Sequence, residues 1–316
     1  MISVILPIRN GSSTILKTLK CLFSQSLLPE ELLIIDDGST DNSLRKVKNF
    51  LKKFPKQIKY CIFWHFQPKG LAFSYNEGIK ASQGELIVTL HQDVIFEKDS
   101  LAKLVAPIKD NKNVVATFHS VVHPFEVWNK YNFWGKLYFS RLVGKKFSGL
   151  DGKFDCFRKK ALREVGFFDE KRFRTAGEDC DIFFRLKQIG QIVPSEAEII
   201  HLHKIDNQFG LREIVYKQAQ YSEVQGVLLR RGRIRTINGF LRAFFREILL
   251  VVTLLPHLRF LGLFLVVVYT FSYSKIIYLR EYKNPRVLLV PFLNLFLLFI
   301  SLFYSLRGFI YGRQKI

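Results

Sequence analysis

Short apolar runs that end directly at carboxylates constrain the fold of this 316-residue chain more than any other feature. The runs Leu32–Ile35 and Leu86–Leu90 predict buried strands, and they are followed by Asp36-Asp37 and by His91-Gln92-Asp93. A third acidic cluster, Gly177-Glu178-Asp179, opens a predicted helix. Carboxylates just past the ends of parallel strands lie where open α/β sheets bind ligands. The clusters therefore predict a site for a phosphorylated ligand at one edge of a sheet.

Strand-like and helix-like patterns alternate along the first third of the chain. Strands are predicted at Ile2–Leu6, Leu32–Ile35, Ile58–Phe63 and Leu86–Leu90, and helices from Ser12/Ser13 to Gln25, over Asp41–Phe54 and over Leu71–Ala81. Such alternation is typical of βαβ units, so we expect an α/β fold with a doubly wound, mostly parallel sheet. After Val121 the alternation fades. The aromatic and basic residues 123–150 predict either a helical insert or a surface that meets lipid or acceptor, Cys156–Val165 a strand-to-helix turn, and Asp179–Ile189 a helix.

Charge and cysteine usage narrow the class of protein. The net charge is +21, and from Leu211 onward 16 Lys and Arg face only 4 acidic residues in the most apolar part of the chain. Basic residues that alternate with Leu, Ile and Phe fit an anionic membrane surface, so anionic lipids are expected partners and nucleic acid is not. The four cysteines are scattered, which argues against a disulfide or zinc site. Met1–Leu6 leads straight into a strand without a signal peptide, so we expect a cytosolic N-terminal domain.

The last third of the chain predicts membrane attachment. Apolar residues from Ile234 to Ile248 recur at helical spacing beside six arginines, a pattern typical of an interfacial amphipathic helix. Two apolar stretches, Ile248–Tyr273 and Val287–Leu306, predict two hydrophobic helices, transmembrane or re-entrant. Because Pro256 interrupts the first stretch, its span is predicted either at Phe260–Leu279 or as a kinked version of the whole. The basic residues between them fit a cytoplasmic loop, whereas a simple hairpin from a cytosolic domain would place that loop outside. We expect three regions: a catalytic domain at 1–210, interfacial helices at 211–247 and a membrane-attachment region at 248–316.

Six motifs, in order along the chain, carry a resemblance to a known family. They are Ser3–Asn10, Ile34–Asp41, Lys69-Gly70-Leu71-Ala72, Asn76-Glu77-Gly78-Ile79, Gly84-Glu85 and Gly177–Asp181. Together they resemble the family-two inverting glycosyltransferases of GT-A fold, of the membrane-associated bacterial and archaeal type, over about residues 1–205. His91-Gln92-Asp93 is distantly similar to rhamnosyltransferase-like members. The resemblance implies transfer of a sugar from a nucleotide-diphosphate sugar.

The resemblance also implies which residues contact the donor. The implied nucleotide-sugar-binding residues are Pro7, Arg9, Asp36, Asp37, Lys69, Gly70, Asn76, Gln92 and Asp93. Asp37 would accept a hydrogen bond from the nucleotide base, a role that suits a fixed carboxylate. The alternative is that Asp36 and Asp37 only shape a Gly-Ser turn. For Lys69 the alternative is a solvated loop position.

The middle acidic cluster departs from the family's Asp-x-Asp metal motif. His91 stands where the first carboxylate is expected, and Asp93 keeps the second. Mg²⁺ or Mn²⁺ prefers carboxylate and phosphate oxygens, so Asp93 would hold the ion together with the donor diphosphate. The family places a histidine ligand after the catalytic helix, which implies His201 or His203. These two alternate on a predicted strand, so only one can face the site.

Asp179 is the implied general base, which would take the proton from an acceptor hydroxyl as that oxygen attacks the anomeric carbon. The alternative is a carboxylate that only favours the start of its helix. Glu178, Asp151 and Asp155 are the implied contacts to acceptor or donor sugar, with plain turn residues as the alternative for the two aspartates. An ionised phosphate acceptor would need no base, so Asp179 favours a hydroxyl acceptor.

The expected function is therefore inverting, metal-dependent glycosyl transfer to a lipid-linked or membrane-embedded glycan at the cytoplasmic membrane face, as in polysaccharide biosynthesis. Two alternatives stay open. One is a polyprenyl-phosphate glycosyltransferase, whose acceptor the basic tail would bind. The other is a membrane-bound, non-catalytic nucleotide-sugar-binding subunit.

Overall fold

The computed structural model describes residues 1–54, 57–203 and 209–315. The chain divides into two compact units. The first comprises Met1–His123 and the described residues from Gly144 to 203. The second comprises Pro124–Val143 and the described residues from 209 onward.

A nine-stranded sheet forms the centre of the first unit. Its strands are β1 (Ile2–Ile8), β2 (Glu31–Asp36), β3 (Lys59–Trp64), β4 (Leu86–Leu90), β5 (Val94–Phe96), β6 (Val114–Val122), β7 (Lys146–Ser148), β8 (Phe154–Arg158) and β9 (Gln191–His201). The order is β3-β2-β1-β4-β8-β6-β9-β5, with β7 paired to β6. The first four strands in this order run parallel, whereas β8 is antiparallel to both β4 and β6. The sheet is therefore mixed, and the predicted mostly parallel character holds for its N-terminal half.

Helices cover both faces of the sheet and form the second unit. In chain order they are α1 (Ile15–Phe23), α2 (Ser43–Leu51), α3 (Leu71–Ala81), α4 (Ser100–Asp110), α5 (Phe125–Trp128), α6 (Phe133–Phe139), α7 (Lys159–Glu164), α8 (Glu178–Leu186), α9 (Leu211–Arg230), α10 (Ile237–Ala243), α11 (Phe245–Leu254), α12 (Arg259–Ser272), α13 (Lys275–Arg280) and α14 (Val290–Tyr311). A 3₁₀ helix, Pro285–Leu289, leads into α14. The predicted elements of the first third are all present, with ends that differ by a few residues.

Two apolar layers hold the first unit together. Side chains of α1, α2 and α4 pack on one face of the sheet, and those of α3, α7 and α8 pack on the other. Every residue of β1, β2 and β4 is buried, which explains their continuous apolar runs: a strand covered on both faces has no polar side. Since β1 lies between β2 and β4, their carboxyl ends meet at one edge. This edge brings Arg9, Asp37 and His91 together, as predicted.

The second unit is helical, and its two longest helices approach closely. A Cβ added to Gly226 of α9 would clash with the backbone carbonyl of Ser305 on α14, and one added to Gly308 of α14 would clash with that of Glu223. Small residues at the crossing therefore permit backbone-to-backbone packing. Between the helices, Ser222 Oγ lies 2.9 Å from Ser301 Oγ.

One helix of the second unit is long and apolar enough to cross a membrane among the residues described. It is Pro285–Tyr311, in which the 3₁₀ helix continues into α14. The first predicted hydrophobic stretch, Ile248–Tyr273, breaks into α11 and α12 near Pro256, in agreement with the interruption predicted there. The predicted span Phe260–Leu279 is not one helix, because α12 ends at Ser272 after 14 residues. Proline ends α11 because it cannot donate to the helix ladder. The predicted amphipathic helix from Ile234 also divides, at Phe244, between α10 and α11.

Candidate active site

A cleft of about 200 Å³ opens at the carboxyl edge of β1, β2 and β4. It is lined by Pro7, Ile8, Arg9, Asp37, Gly70, Leu71, Ser74, His91, Gln92, Asp93 and Thr175. Six of the predicted donor-binding residues are in this lining. The cleft thus brings residues far apart in sequence to one edge, as the strand order requires.

The ends of β1 and β4 are joined by one side chain. Gln92 Oε1 accepts the backbone N–H of Arg9 at 2.9 Å, and Gln92 Nε2 donates to the Arg9 carbonyl at 2.9 Å. A Cβ on Gly11 would clash with this amide, so a residue without a side chain lies here. Gln92 therefore shapes the cleft wall through the backbone of Arg9.

Asp37 is buried at the floor of the cleft and organises the loop after β3. Its carboxylate accepts the backbone N–H groups of Lys69 at 2.7 Å and Gly70 at 2.9 Å. His65 Nδ1 lies 2.9 Å from Asp37 Oδ1, and His65 Nε2 lies 2.8 Å from Glu77 Oε2. Asp37 is thus fixed as predicted, and His65 is a partner that the sequence reading missed. The position of His65, a polar residue just after the predicted third strand, could have indicated its place at the same edge of the sheet.

Asp36 and Gly70 have structural roles beside the cleft. Asp36 Oδ1 accepts the backbone N–H of Ser39 at 3.1 Å, which matches the turn-shaping alternative, and its Oδ2 is buried without a hydrogen-bond partner in the described structure. Gly70 has φ +108°, and a Cβ there would lie 2.6 Å from the Arg174 carbonyl oxygen. That carbonyl accepts the N–H of Leu71 at 2.8 Å. Glycine at 70 lets two loops meet at the cleft.

Three side chains converge where a metal ion is predicted. His91, Asp93 and His201 each present one ligand atom, and these atoms lie within 4.8 Å of one another. His201 Nε2 is 3.1 Å from Asp93 Oδ2, and His91 Nδ1 is 3.9 Å from Asp93 Oδ1. The sequence reading treated His91 as a lost carboxylate. The structure instead adds it to the cluster.

The chemistry of these three residues fits a divalent cation. Asp93 Oδ1 and His91 Nε2 are buried atoms with no hydrogen-bond partner among the described residues. Burial lowers the pKa of His91 to about 4, with Lys153 adding to the effect, so its lone pair is free to bind a metal. Burial alone would raise the pKa of Asp93, but His201 and His91 outweigh it and lower that pKa to about 2. The cluster therefore holds an anionic oxygen ligand, Asp93, and a neutral nitrogen ligand, His91, beside the imidazole of His201.

His201 and His203 differ in their surroundings. β9 ends at His201, so the predicted alternation on one strand does not extend to His203. The Leu202 N–H donates to the Asp93 carbonyl at 2.6 Å, which fixes His201 beside Asp93. The His203 ring lies 3.9 Å from the His201 ring and stacks on His123 at 6.4 Å. His201 is thus the histidine that faces Asp93.

Two neighbouring carboxyls begin α8, just after Thr175 of the cleft wall. Glu178 is buried, and its pKa rises to about 8 because of burial and the adjacent Asp179. Asp179 is half-buried, and Asp179 Oδ1 accepts the N–H of Cys180 at 2.7 Å. Burial and the charge of Asp151 raise the pKa of Asp179. Carboxyls with raised pKa beside a cleft are candidates for proton transfer.

A buried histidine supports the loop that was predicted to face the sugar. Asp155 Oδ2 accepts the N–H groups of Asp151 at 3.0 Å and Gly152 at 2.6 Å, while its Oδ1 lies 3.0 Å from His119 Nδ1. Asp151 Oδ2 pairs with Lys153 Nζ at 2.5 Å. Asp155 therefore fixes the loop 149–153 through two backbone N–H groups, and Asp151 is itself part of that loop. No short-range pattern links His119 to these residues, because β6 meets β8 only in the folded sheet.

Lys153 connects the acidic pair to the metal cluster. Its carbonyl accepts the His91 N–H at 2.9 Å. Its positive charge lowers the pKa of Asp93 and opposes the raised pKa of both Glu178 and Asp179. One cation thus acts on both sets of carboxyls, which places them in a common electrostatic neighbourhood. The sequence reading did not select Lys153.

The side chain of Asn76 forms its hydrogen bonds with residues outside the cleft lining. Its Nδ2 donates to the Phe168 carbonyl at 2.9 Å, and its Oδ1 accepts the Phe168 N–H at 3.0 Å. Asn76 Nδ2 also donates to Glu170 Oε2 at 2.8 Å. These contacts fix the loop before α8. The role of Asn76 in the structure is therefore support of that loop, and direct donor binding by Asn76 stays a prediction.

Known proteins of similar fold and sequence now define the class. The fold is similar to that of a mannosyltransferase from Pyrobaculum calidifontis, solved with GDP-Man and Mn²⁺, at a TM-score of 0.64 and 14% identity over 99% of this chain and 88% of that one. This likeness shows a GT-A-like fold. Residues 3–166 match Glycosyl transferase family 2, and residues 86–306 match Glycosyl transferase family group 2. The chain belongs to glycosyltransferase family 2, as the six motifs predicted.

Characterised and uncharacterised relatives agree with this assignment. A poly-beta-1,6-N-acetyl-D-glucosamine synthase of Staphylococcus epidermidis is 28% identical over 181 residues, which cover 53% of this chain and 42% of that protein. An uncharacterized glycosyltransferase of Bacillus subtilis is 22% identical over 257 residues, 64% of each chain. The chain thus spans less than half the length of the synthases that it matches.

Proposed function

We propose that this glycosyltransferase transfers a sugar, with inversion, from a metal-bound nucleotide-diphosphate sugar to a hydroxyl of a lipid-linked glycan at the cytoplasmic membrane face. The observation that carries the proposal is the cluster of His91, Asp93 and His201, which could hold a cation, close to Lys153 and to a pair of carboxyls with raised pKa. The relative named as a polysaccharide synthase supports the class of product, and the neighbour solved with GDP-Man supports the class of donor.

Asp93 and His201 would hold the divalent cation, with His91 as a third ligand. When bound, the ion would neutralise the charge that develops on the departing nucleoside diphosphate. Two imidazole nitrogens favour a transition-metal ion over Mg²⁺, so Mn²⁺ fits this cluster better. His203 lies behind His201 and would keep its ring in place.

The donor would lie along the cleft floor. Asp37, held by two backbone N–H groups, would offer a fixed carboxylate to the nucleotide base, and Pro7 and Arg9, which also line the cleft, would border that base. Lys69 and Gly70 bring the backbone towards the donor. Asp151 would contact donor sugar or acceptor from its loop, which Asp155 supports.

Asp179 would act as the general base. A raised pKa gives this carboxylate a higher proton affinity than an ordinary aspartate, which suits removal of a proton from a hydroxyl as the oxygen attacks the anomeric carbon. The proton passes to Asp179, the new glycosidic bond forms, and the bond to the diphosphate breaks on the opposite face. Glu178, neutral up to about pH 8, would donate a hydrogen bond to the acceptor or sugar.

Membrane attachment is part of the proposal. Pro285–Tyr311 would span the bilayer, and α10 to α12, with their exposed apolar side chains and basic residues, would lie at its surface. We place the catalytic region in the first unit and attachment in the second, close to the predicted regions 1–210, 211–247 and 248–316. An acceptor anchored in lipid would then be concentrated at the enzyme.

The proposal is tested by incubating the full chain in membranes with a panel of UDP-, GDP- and dTDP-sugars and measuring nucleoside diphosphate release with and without Mn²⁺. We expect one donor to give Mn²⁺-dependent release that increases with a lipid-linked glycan. Release without any metal, after chelation, would contradict the metal-dependent mechanism. Nucleotide-sugar binding without turnover of any donor would support the non-catalytic alternative instead.

A second candidate function, transfer to a polyprenyl phosphate, is distinguished by Asp179→Ala. A phosphate acceptor is already ionised and needs no base, so substantial residual activity in this variant would favour the phosphate acceptor. Near-complete loss would favour the hydroxyl acceptor. The raised pKa of Asp179 favours the hydroxyl acceptor.

A further inference from the structure

Two arginine side chains of the second unit converge on one phenol oxygen. Arg141, two residues after α6, donates from Nη1 to Tyr273 Oη at 2.8 Å. Arg246, near the start of α11, donates from Nη2 to the same oxygen at 2.6 Å and from Nε to Tyr269 Oη at 2.9 Å. Both guanidinium groups also lie over the Tyr273 ring, at 5.7 and 5.0 Å from its centroid. Segments far apart in sequence thus bring two full positive charges to one neutral atom.

No carboxylate forms an ion pair with these two guanidinium groups within the described part of the chain. Neither guanidinium has a carboxylate oxygen within 4.0 Å among the described residues. Glu247 follows Arg246 in sequence, but Glu247 Oε1 accepts the hydroxyls of Ser301 at 2.7 Å and Ser305 at 2.6 Å on α14. A phenol oxygen can accept two hydrogen bonds, yet it is uncharged and cannot neutralise two guanidinium groups. Glu247 therefore acts on Arg246 only from a distance, and neither guanidinium has a directly paired carboxylate among the described residues.

The two arginines also have N–H donors that the side-chain contacts described do not use. A guanidinium carries five N–H donors, of which Arg141 uses one and Arg246 two in the side-chain contacts described. Arg141 Nε is buried and has no hydrogen-bond partner in the described structure. A buried donor without a hydrogen bond costs free energy, so this atom indicates that an acceptor binds here. Forked donors from two arginines match the oxygens of a phosphate group.

The surroundings restrict the molecule that carries the phosphate. Tyr269 and Tyr273 lie at the C-terminal end of α12, and the same helix exposes Phe264, Val267 and Phe271 by 63, 55 and 50%. An exposed apolar helix that ends in a tyrosine and arginine cluster fits a ligand with a charged head and a hydrocarbon chain. A free sugar phosphate would leave the apolar surface uncovered.

We propose that Arg141, Arg246 and Tyr273 bind the phosphate group of an amphipathic lipid. The inference rests on the proposed membrane attachment and is independent of the sugar that is transferred. Two lipids offer this chemistry, an anionic phospholipid and a polyprenyl phosphate. Both place a phosphate at the membrane surface above a hydrocarbon chain.

The test uses the whole 316-residue chain with chelator, so that metal-dependent binding at the cleft does not contribute. Flotation with vesicles of phosphatidylcholine alone, with added phosphatidylglycerol, or with added undecaprenyl phosphate measures lipid affinity. The site variant is Arg141→Gln with Arg246→Gln. The control is Arg231→Gln with Arg242→Gln, two exposed arginines whose loss changes the net charge equally.

We expect the site variant to bind phosphate-bearing vesicles at least about tenfold more weakly than the control variant does, because it loses charge-assisted hydrogen bonds in addition to general surface attraction. Loss confined to one phosphate lipid identifies it as the ligand. Equal weakening of both variants would show general surface attraction and overturn the proposal. Donor turnover is not measured, so this outcome is separate from that of the proposed function.

A second measurement needs no variant. Farnesyl phosphate should raise the thermal midpoint of the wild-type chain, whereas farnesol, which has the same hydrocarbon chain, should not. Arg246→Lys keeps the charge but loses the fork, so it should retain flotation partly and lose most of the farnesyl phosphate effect. Equal stabilisation by farnesol and farnesyl phosphate would overturn the phosphate site even if the double variant failed to fold.

Discussion

Replacement of Asp179 by asparagine separates catalysis from folding more cleanly than any other single change. The side chain keeps its volume, and the asparagine Oδ1 can still accept the Cys180 N–H that Asp179 accepts at 2.7 Å. Only the charge and the ability to take a proton are lost. The charge of Asp151 disfavours the ionised carboxylate of Asp179, so its removal relieves repulsion and offsets the lost helix-dipole interaction of about 0.3–1 kcal/mol. We expect stability to change by no more than about 1 kcal/mol.

Activity should fall far more. A positioned base contributes roughly 10²–10⁴ in rate, so Asp179→Asn should lower kcat by about that factor with little change in donor affinity. Glu178→Gln is the matched control on the same helical turn: burial keeps this carboxyl neutral at pH 7, so its amide variant should retain activity within about threefold.

The assay is nucleoside diphosphate release across pH, with thermal melts of each variant. The wild type should lose activity on the acidic side as Asp179 is protonated, at a pH above the ordinary aspartate pKa of 3.8. Asp179→Asn should lack that acidic limb. A variant that keeps more than about a tenth of the wild-type rate, or that loses activity only together with its fold, would refute the assignment of Asp179 as base.

Three further predictions concern pH and glycine. The neutral carboxyl of Glu178 stabilises the fold fully below its unfolded pKa, and this stability is lost as the pH rises towards about 8. In thermal melts between pH 5 and 8, the stability of Glu178→Gln should therefore increase relative to that of the wild type by up to about 1.4 kcal/mol per pH unit. Stability curves that stay parallel over this range would contradict the raised pKa of Glu178. Gly70→Ala would place a Cβ 2.6 Å from a backbone oxygen at φ +108°, so it should cost about 1–3 kcal/mol and weaken donor binding, whereas Gly149→Ala, with open space around it, should do neither in the same melts and titrations. Alanine normally stabilises a helix relative to glycine, yet Gly226→Ala should lower stability by about 1–3 kcal/mol, because its Cβ meets the Ser305 carbonyl; a higher melting temperature would disprove this close packing.

The sequence predicts the first half of the sheet well for a physical reason. Strands covered on both faces are continuous apolar runs, and the parallel order places their carboxyl ends together, so Asp37 and Asp93 could be assigned to one edge. The antiparallel half could not be foreseen in the same way. Periodicity indicates that β8 is a strand, but not that it inserts between β4 and β6.

The residues that were missed are those whose partners lie on distant elements. His119 meets Asp155 through the β6–β8 pairing, and His65 bridges Asp37 to Glu77. His91 was interpreted as a loss because a carboxylate was expected there, although imidazole is itself a metal ligand. In the tail, Pro256 predicted an interruption of the first apolar stretch, and the break between α11 and α12 lies there.

The central claim is that the cleft holds a metal-bound sugar nucleotide. It is tested most directly by measuring the affinity of the chain in detergent for Mn²⁺, with electron paramagnetic resonance reporting the concentration of the free ion. We predict that wild-type protein binds Mn²⁺ more tightly with a nucleoside diphosphate than without it. Asp93→Asn and His201→Ala should each weaken binding by about tenfold or more, whereas Asp99→Asn, an exposed carboxylate on another loop, should not. Equal Mn²⁺ affinity in the wild type and Asp93→Asn would contradict the account.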